Sequence, residues 1–147
     1  MTHVASYDPG LITGFAYGSF TETEPLELLT TGTLTYDYIL HGSPFSGIHP
    51  EVTVVEEFIL RDNEFKADLT GVRVEGILEI VFRNIVWRPP SKKAQVPDQV
   101  LKDHGLWQTG KTVDWEDGRD ANDAIIHLLG YVAFDLRHKP TLRKYFR

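Results

Sequence analysis

Asp8, Glu56, Glu57, Asp120 and Asp123 are acids in segments whose other residues read as buried structure. Asp8 ends the apolar segment His3 to Tyr7 and precedes Pro9-Gly10, a turn signal that leaves its carboxylate at the mouth of a sheet. Alone, Asp8 is also an ordinary turn-forming residue. Glu56 and Glu57 interrupt the apolar run Val52 to Leu60. Strand geometry sends them to opposite faces and puts Glu56 on the side of Val52 and Val54. A carboxylate on a buried face is costly unless it is paired or binds a cation. Asp120 and Asp123 are three apart at the start of a helical pattern and share a face. Acids also favour a helix N-terminus through the macrodipole, which accounts for Asp120 more readily than for Asp123, set among Ala121, Ala124 and Ile125.

Acids from a strand end, a central strand and a terminal helix can converge although they lie far apart in the chain. Four carboxylates at one spot, Asp8, Glu56, Asp120 and Asp123, cannot all be charged without a cation. Oxygen-only ligation selects a hard ion, Mg²⁺ or Mn²⁺. His127 lies one turn after Asp123 and is open to two readings, a supporting partner of the acids or a packed helix histidine.

The elements that must position these groups follow from periodicity. Residues 11–20 are aromatic and β-branched, and residues 26–38 alternate and are rich in Thr; with His3 to Tyr7 they predict an antiparallel three-strand meander. His41 to Pro50 reads as a loop, and Val52 to Leu60 as a buried strand. After a cap at Asp62 or Asn63, Leu69, Val72, Ile77, Ile80 and Val81 predict a helix over 66–83. Ile85 to Trp87 reads as a short strand stopped by Pro89-Pro90. A short helix starts at Pro97 and ends before Gly105. Residues 108–118 read as a loop, and a last helix runs from Arg119 to Arg137. The order implies an α/β protein, a mixed sheet with helices packed on it.

The 147 residues fit one domain spanning the chain, with 41% hydrophobic residues to build its core. That content excludes a disordered chain. No apolar run approaches the ~18 residues of a membrane span. Met1 to Gly10 lacks the cationic start of a signal peptide, so a cytoplasmic protein is expected. The absence of Cys excludes disulfides, thiolate metal sites and cysteine nucleophiles. The net charge of −6 hides an asymmetry: residues 1–60 hold eight acids and no Lys or Arg, whereas residues 61–147 hold all 15 cations and 13 acids. An acidic pocket beside a basic surface is therefore compatible with a nucleic-acid partner.

Three segments together carry a resemblance. VASYDPGLITGFAYG, residues 4–18, resembles the first hairpin of RuvC-type Holliday junction resolvases: an apolar strand, Asp-Pro-Gly, then Thr-Gly and an aromatic strand. VTVVEEFIL resembles that family's central strand, which places the family's acid on Glu56, with Glu57 as the rival register. RDANDAIIHLLGY resembles its C-terminal helix, with Asp120 and Asp123 in place. Residues 89–107 and the Asp-Ala-x-x-His run at 123–127 are closer to small phage-type members. The loop 41–50 stands where bacterial members usually have a helix.

The resemblance implies an RNase H-like fold with a mixed five-stranded sheet, antiparallel meander plus parallel strands. It implies a Mg²⁺-dependent endonuclease that resolves four-way and other branched DNA, leaving 5′-phosphate and 3′-hydroxyl ends. Two Mg²⁺ ions, replaceable by Mn²⁺, would be held by Asp8, Glu56, Asp120 and Asp123. The family's basic DNA path corresponds loosely to Lys92, Lys93 and Lys102, and the cationic tail places Arg143 and Lys144 on DNA backbone. A homodimer is implied by the two-fold symmetry of a junction, with the exposed face of helix 66–83 as the interface. A phage-encoded member would work in the host cytoplasm. An RNA–DNA hybrid or flap nuclease, and a junction-binding protein without catalysis, are the alternatives.

Overall fold

A computed structural model describes residues 1–59, 69–109 and 119–147. Five strands form one mixed sheet in the order β3-β2-β1-β4-β5. β1 (Thr2–Asp8), β2 (Ile12–Phe20) and β3 (Glu27–Thr35) make the expected antiparallel meander. β4 (Val52–Glu56) and β5 (Ile85–Arg88) extend it in parallel with β1. The α/β reading and the mixed five-stranded sheet are therefore observed.

Helices cover both faces, because the central strands are apolar on both. Val4 and Val54 join the core formed with Ile125, Leu128 and Leu129 of α4 (Arg119–Gly130). Ala5, Tyr7 and Val55, one residue out of phase, join the opposite core with Val74 and Leu78 of α2 (Thr70–Val81). This period-two split is the sheet pleat read through packing. It also puts Asp8 and Glu56, in phase with Val4 and Val54, on the α4 side.

Several boundaries differ from expectation. The third strand stops at Thr35 rather than residue 38, because the Thr35 side chain accepts from the Tyr38 N–H and caps a short helix, α1 (Tyr36–His41). A helix therefore does stand between the third and fourth strands, just ahead of the loop. β4 ends at Glu56, four residues early. α2 starts at Thr70; the expected cap at Asp62 or Asn63 and the helix start at 66 lie outside the described residues, as do residues 110–118 of the expected loop. The Pro89-Pro90 stop opens a 3-10 helix, Pro90–Gln95, before α3 (Asp98–Asp103).

The last helix is not continuous to Arg137. α4 ends at Gly130, a π-helical turn follows over Tyr131–Asp135, and Arg137 turns the chain with a φ of 53°. α5 (Lys139–Phe146) then docks at the end of the sheet remote from Asp8. The Thr141 hydroxyl accepts from the Leu26 N–H, and the Tyr145 hydroxyl donates to the Leu26 carbonyl. No helix among the described residues is long and apolar enough to cross a membrane.

Candidate metal centre

β1, β4 and β5 run parallel, so their C-terminal ends reach one edge of the sheet, where open α/β sheets bind ligands. Tyr7 pairs with Val55, and the next residues on those strands are Asp8 and Glu56. Glu56 in turn pairs with Arg88. α4 crosses this edge and supplies Asp123, which is 7% exposed. Ligand oxygens of Asp8, Glu56 and Asp123 all lie within 4.8 Å of one another. Glu57 is exposed on the other side of the pleat and is absent from this cluster.

The sequence signature around Asp8 has a steric cause. Asp8 pairs with Gly14, and a Cβ on Gly14 would lie 1.8 Å from the Asp120 carbonyl oxygen and 2.8 Å from the Ala121 nitrogen. Glycine is what lets the start of α4 descend onto β2 beside Asp8. Thr13 is buried next to it and exchanges hydrogen bonds with the Gly10 carbonyl and N–H, both at 3.3 Å, which shapes the turn after Asp8.

The electrostatics are those of crowded acids. Burial, followed by the charges of Glu56 and Asp123, holds the Asp8 carboxyl well above its ordinary value, with Lys93 opposing and Asp120 adding to the rise. Burial also pushes Glu56 up, but the His127 hydrogen bond and the Lys93 charge outweigh it and bring Glu56 below its ordinary value. Asp120, one turn before Asp123, acts on Asp8 through its charge; the close oxygen cluster is the trio Asp8, Glu56 and Asp123.

A cation already sits among these acids. The Lys93 ammonium lies 3.2 Å from Glu56 Oε2 and 3.1 Å from Asp123 Oδ2. Burial opposes its charge, yet Glu56, Asp123 and Asp8 together hold the Lys93 pKa above its ordinary value. Arg119 Nε approaches Asp123 Oδ1 to 3.1 Å without hydrogen-bond alignment, so that buried oxygen has no hydrogen bond. An oxygen-only donor set, an ammonium bridging it and a buried carboxylate oxygen still lacking a donor fit a hard divalent cation. An open cleft of about 240 Å³ beside this cluster is lined by Asp8, Glu56, Glu57, Phe58, Pro90 and Lys93, so Glu57, although outside the oxygen trio, borders the same cleft.

The other basic residues are dispersed. Lys92 pairs with Asp135 at 3.1 Å. Lys102 stands over the Trp107 ring at 4.7 Å. Arg143 and Lys144 are on α5, at the opposite end of β1 from Asp8, where Lys144 lies 3.9 Å from Glu27. The structure thus brings Lys93 to the acids and leaves Lys102, Arg143 and Lys144 apart from them.

Behind the acids lies His127, for which a supporting role was one of the two sequence readings, together with Arg88, which sequence reading did not find. His127 Nε2 is 2.7 Å from Glu56 Oε2, and His127 Nδ1 is 3.2 Å from Arg88 Nη1. Arg88 is wholly buried and also donates to Asp135 at 2.9 Å and Gln95 at 2.7 Å. The available signal was a charged residue ending the apolar strand Ile85 to Trp87, the same kind of signal that marked Glu56.

No family model and no curated protein matches this sequence. Solved structures do. The structure "T. thermophilus RuvC in complex with Holliday junction substrate" superposes with a TM-score of 0.63 at 17% identity, over 95% of this chain and 98% of that one. A second Thermus thermophilus RuvC structure gives a TM-score of 0.57 at 19% identity, over 91% and 97% of the two chains. The Fowlpox virus resolvase, solved with Holliday junction DNA, gives 0.52 at 12% identity, over 82% and 94%. Sheet order, helix placement and near-complete coverage in both directions identify the fold of this chain as the RNase H-like fold of RuvC-type resolvases.

Proposed function

We propose that this protein is a divalent-metal-dependent endonuclease that cuts branched DNA, with four-way junctions as its preferred substrate. The observation that carries the reading is the convergence of Asp8, Glu56 and Asp123 at the C-terminal edge of a RuvC-type sheet. The solved neighbours of that fold include two resolvases in complex with junction DNA.

Asp8, Glu56 and Asp123 would hold Mg²⁺, or Mn²⁺ in its place, with Asp120 assisting from the preceding helical turn. Two such ions, when bound, would activate a water and stabilise the negative charge of the departing 3′ oxygen. The protein's own part is positional. Gly14 seats α4 so that Asp123 meets Asp8. The buried walls of the two cores keep the carboxylates in one arrangement. Lys93, which pairs with Glu56 and Asp123 and lines the cleft, would be freed to meet a phosphate there if a divalent ion took over those acids. Lys92 is next to Lys93 on the same 3-10 helix, whereas Lys102 and the α5 cations would serve stretches of backbone farther from the acids. Cleavage leaves 5′-phosphate and 3′-hydroxyl ends.

A four-way junction has two strands to cut, which calls for two sites and a homodimer. Ile80, 86% exposed on α2, and its neighbour Val81 supply an apolar face for that contact. The site of action is the cytoplasm, that of a host if the protein is phage-encoded.

The deciding assay compares Mg²⁺-dependent cleavage of four-way, three-way, flap, linear and RNA–DNA hybrid substrates by wild type and Asp8→Asn. The expected result is strongest cutting of four-way junctions, loss of cutting in Asp8→Asn, and retained junction binding. Wild-type cutting by Asp8→Asn removes the site; preference for hybrid or flap substrates replaces the substrate class.

A further inference from the structure

We infer that His127 is a positioning residue for Glu56, held by Arg88 in the Nε2–H tautomer so that it fixes the Glu56 carboxylate beside Asp8 and Asp123. The argument starts from donor chemistry. A guanidinium can only donate hydrogen bonds. The Arg88 Nη1 to His127 Nδ1 contact at 3.2 Å therefore makes Nδ1 the acceptor, and the ring's proton sits on Nε2. From there it is donated to Glu56 Oε2 at 2.7 Å. The acceptor-only Glu56 carboxylate and the donor-only Arg88 guanidinium select this tautomer from the two sides of the ring, and it is Arg88, facing Nδ1 with a donor, that keeps a proton off that nitrogen.

The rest of the network keeps the guanidinium in place. Nε donates to Asp135 and Nη2 to Gln95, so each nitrogen of a fully buried arginine is engaged. Asp135 reaches it from the π-helical turn that follows α4. Gly130 supplies the room: a Cβ there would stand 2.8 Å from Nη1 and 3.0 Å from Nη2. Alanine is otherwise the better helix former, so a glycine in the last turn of α4 has a packing reason. Arg88 and Glu56 pair directly in the sheet, and His127, wholly buried, bridges their side chains. The arrangement hands one orientation from the buried charge to the cluster's central carboxylate.

The consequence for metal binding rests on the function proposed above; the tautomer does not. The first test is therefore run on the whole, metal-free protein with ¹⁵N-labelled histidine, reading the His127 ring nitrogens by long-range ¹H–¹⁵N correlation. The expected signature is a protonated Nε2 and an unprotonated Nδ1 in wild type, with Nδ1–H appearing in Arg88→Met. A protonated Nδ1 in wild type overturns the inference. Should Arg88→Met not fold, Gly130→Ala, which only crowds the guanidinium, takes its place; an unchanged ring signature in the folded variant overturns the inference as well.

The second test is Mn²⁺ affinity, measured by electron paramagnetic resonance without DNA. His127→Leu is expected to bind Mn²⁺ more weakly by about 10- to 100-fold. His127→Gln, whose amide can donate to Glu56 and accept from Arg88, is expected to recover most of that loss. Wild-type affinity in His127→Leu, or an equal loss in both folded variants, overturns the positioning role. The expected tautomer together with normal cutting by Asp8→Asn would instead retain the His127 assignment and reject the nuclease site.

Discussion

Gly14→Ala adds one methyl group at the point where the sheet and the last helix meet. The new Cβ would lie 1.8 Å from the Asp120 carbonyl oxygen and 2.1 Å from its carbon. Ordinary contact requires about 3.5 Å, so α4 must retreat from β2 by about 1.5 Å. The obstacle is helix backbone, which cannot rotate aside as a side chain would. Inserting a methyl into a packed core costs roughly 1–3 kcal/mol. Replacing a glycine returns at most about 1 kcal/mol through the unfolded chain. The net loss of up to about 3 kcal/mol should lower the melting temperature of a domain of this size by up to roughly 10 °C. The retreat carries Asp120 and Asp123 away from Asp8, and a misplacement near 1 Å costs on the order of 100-fold in rate. Gly76→Ala is the matched control: it lies in α2 with nothing within 4 Å of the added Cβ, and it should raise the melting temperature slightly. The assays are a thermal melt and Mg²⁺-dependent junction cleavage. A Gly14→Ala protein that melts and cuts like wild type would refute the close seating of α4 on β2.

Other perturbations have equally definite signs. Burial and the neighbouring acids raise the Asp8 carboxyl, so its contribution to stability is present at acid pH and is lost as pH rises from near 3.8 through the folded value. Asp8→Asn should therefore melt above wild type at neutral pH without divalent ions. The gap should close toward pH 3.8 and reverse when Mg²⁺ saturates the wild type, as calorimetry across pH would show. Lys93→Ala removes the ammonium that competes for Glu56 and Asp123. A partly buried pair worth about 1 kcal/mol corresponds to roughly fivefold tighter Mn²⁺ binding, with a lower melting temperature in the metal-free protein. Unchanged affinity would show that Lys93 does not compete with the ion. Ile80→Glu places a charge on the exposed apolar face of α2 and should shift a dimer to monomer by light scattering while leaving the melting temperature nearly unchanged. A dimer that persists moves the interface elsewhere.

Much of the frame was readable because it rests on local rules. The meander showed as alternation and Thr-rich β-branching. α2 showed as helical spacing, and the Asp8 turn as Pro-Gly. The strand phase alone put Glu56 on the face of Val54, and the structure places it there, with Glu57 exposed. Boundaries failed where a side chain intervened. Thr35 caps α1 and ends β3 early, and the π-helical turn at Tyr131 breaks a pattern that remained apolar through Phe134. A count of cations in the tail also could not show that α5 folds back to the remote end of the sheet through Thr141 and Tyr145.

The sequence by itself determined which residues could carry metal chemistry and which face of each element they occupy, because side-chain type and periodicity are local properties. Tertiary structure alone decided their company. Lys93, which the sequence offered only as part of a basic DNA path loosely matched to the family's, is placed against Glu56 and Asp123 by the 3-10 helix that follows β5. Arg88, just past the strand expected over Ile85 to Trp87, becomes the buried partner of His127, 39 residues away. Gly14, legible as part of a motif, acquires its reason from the helix backbone resting on it. Those relations depend on distances between segments remote in the chain. Packing of the whole core sets such distances, and no local pattern encodes them.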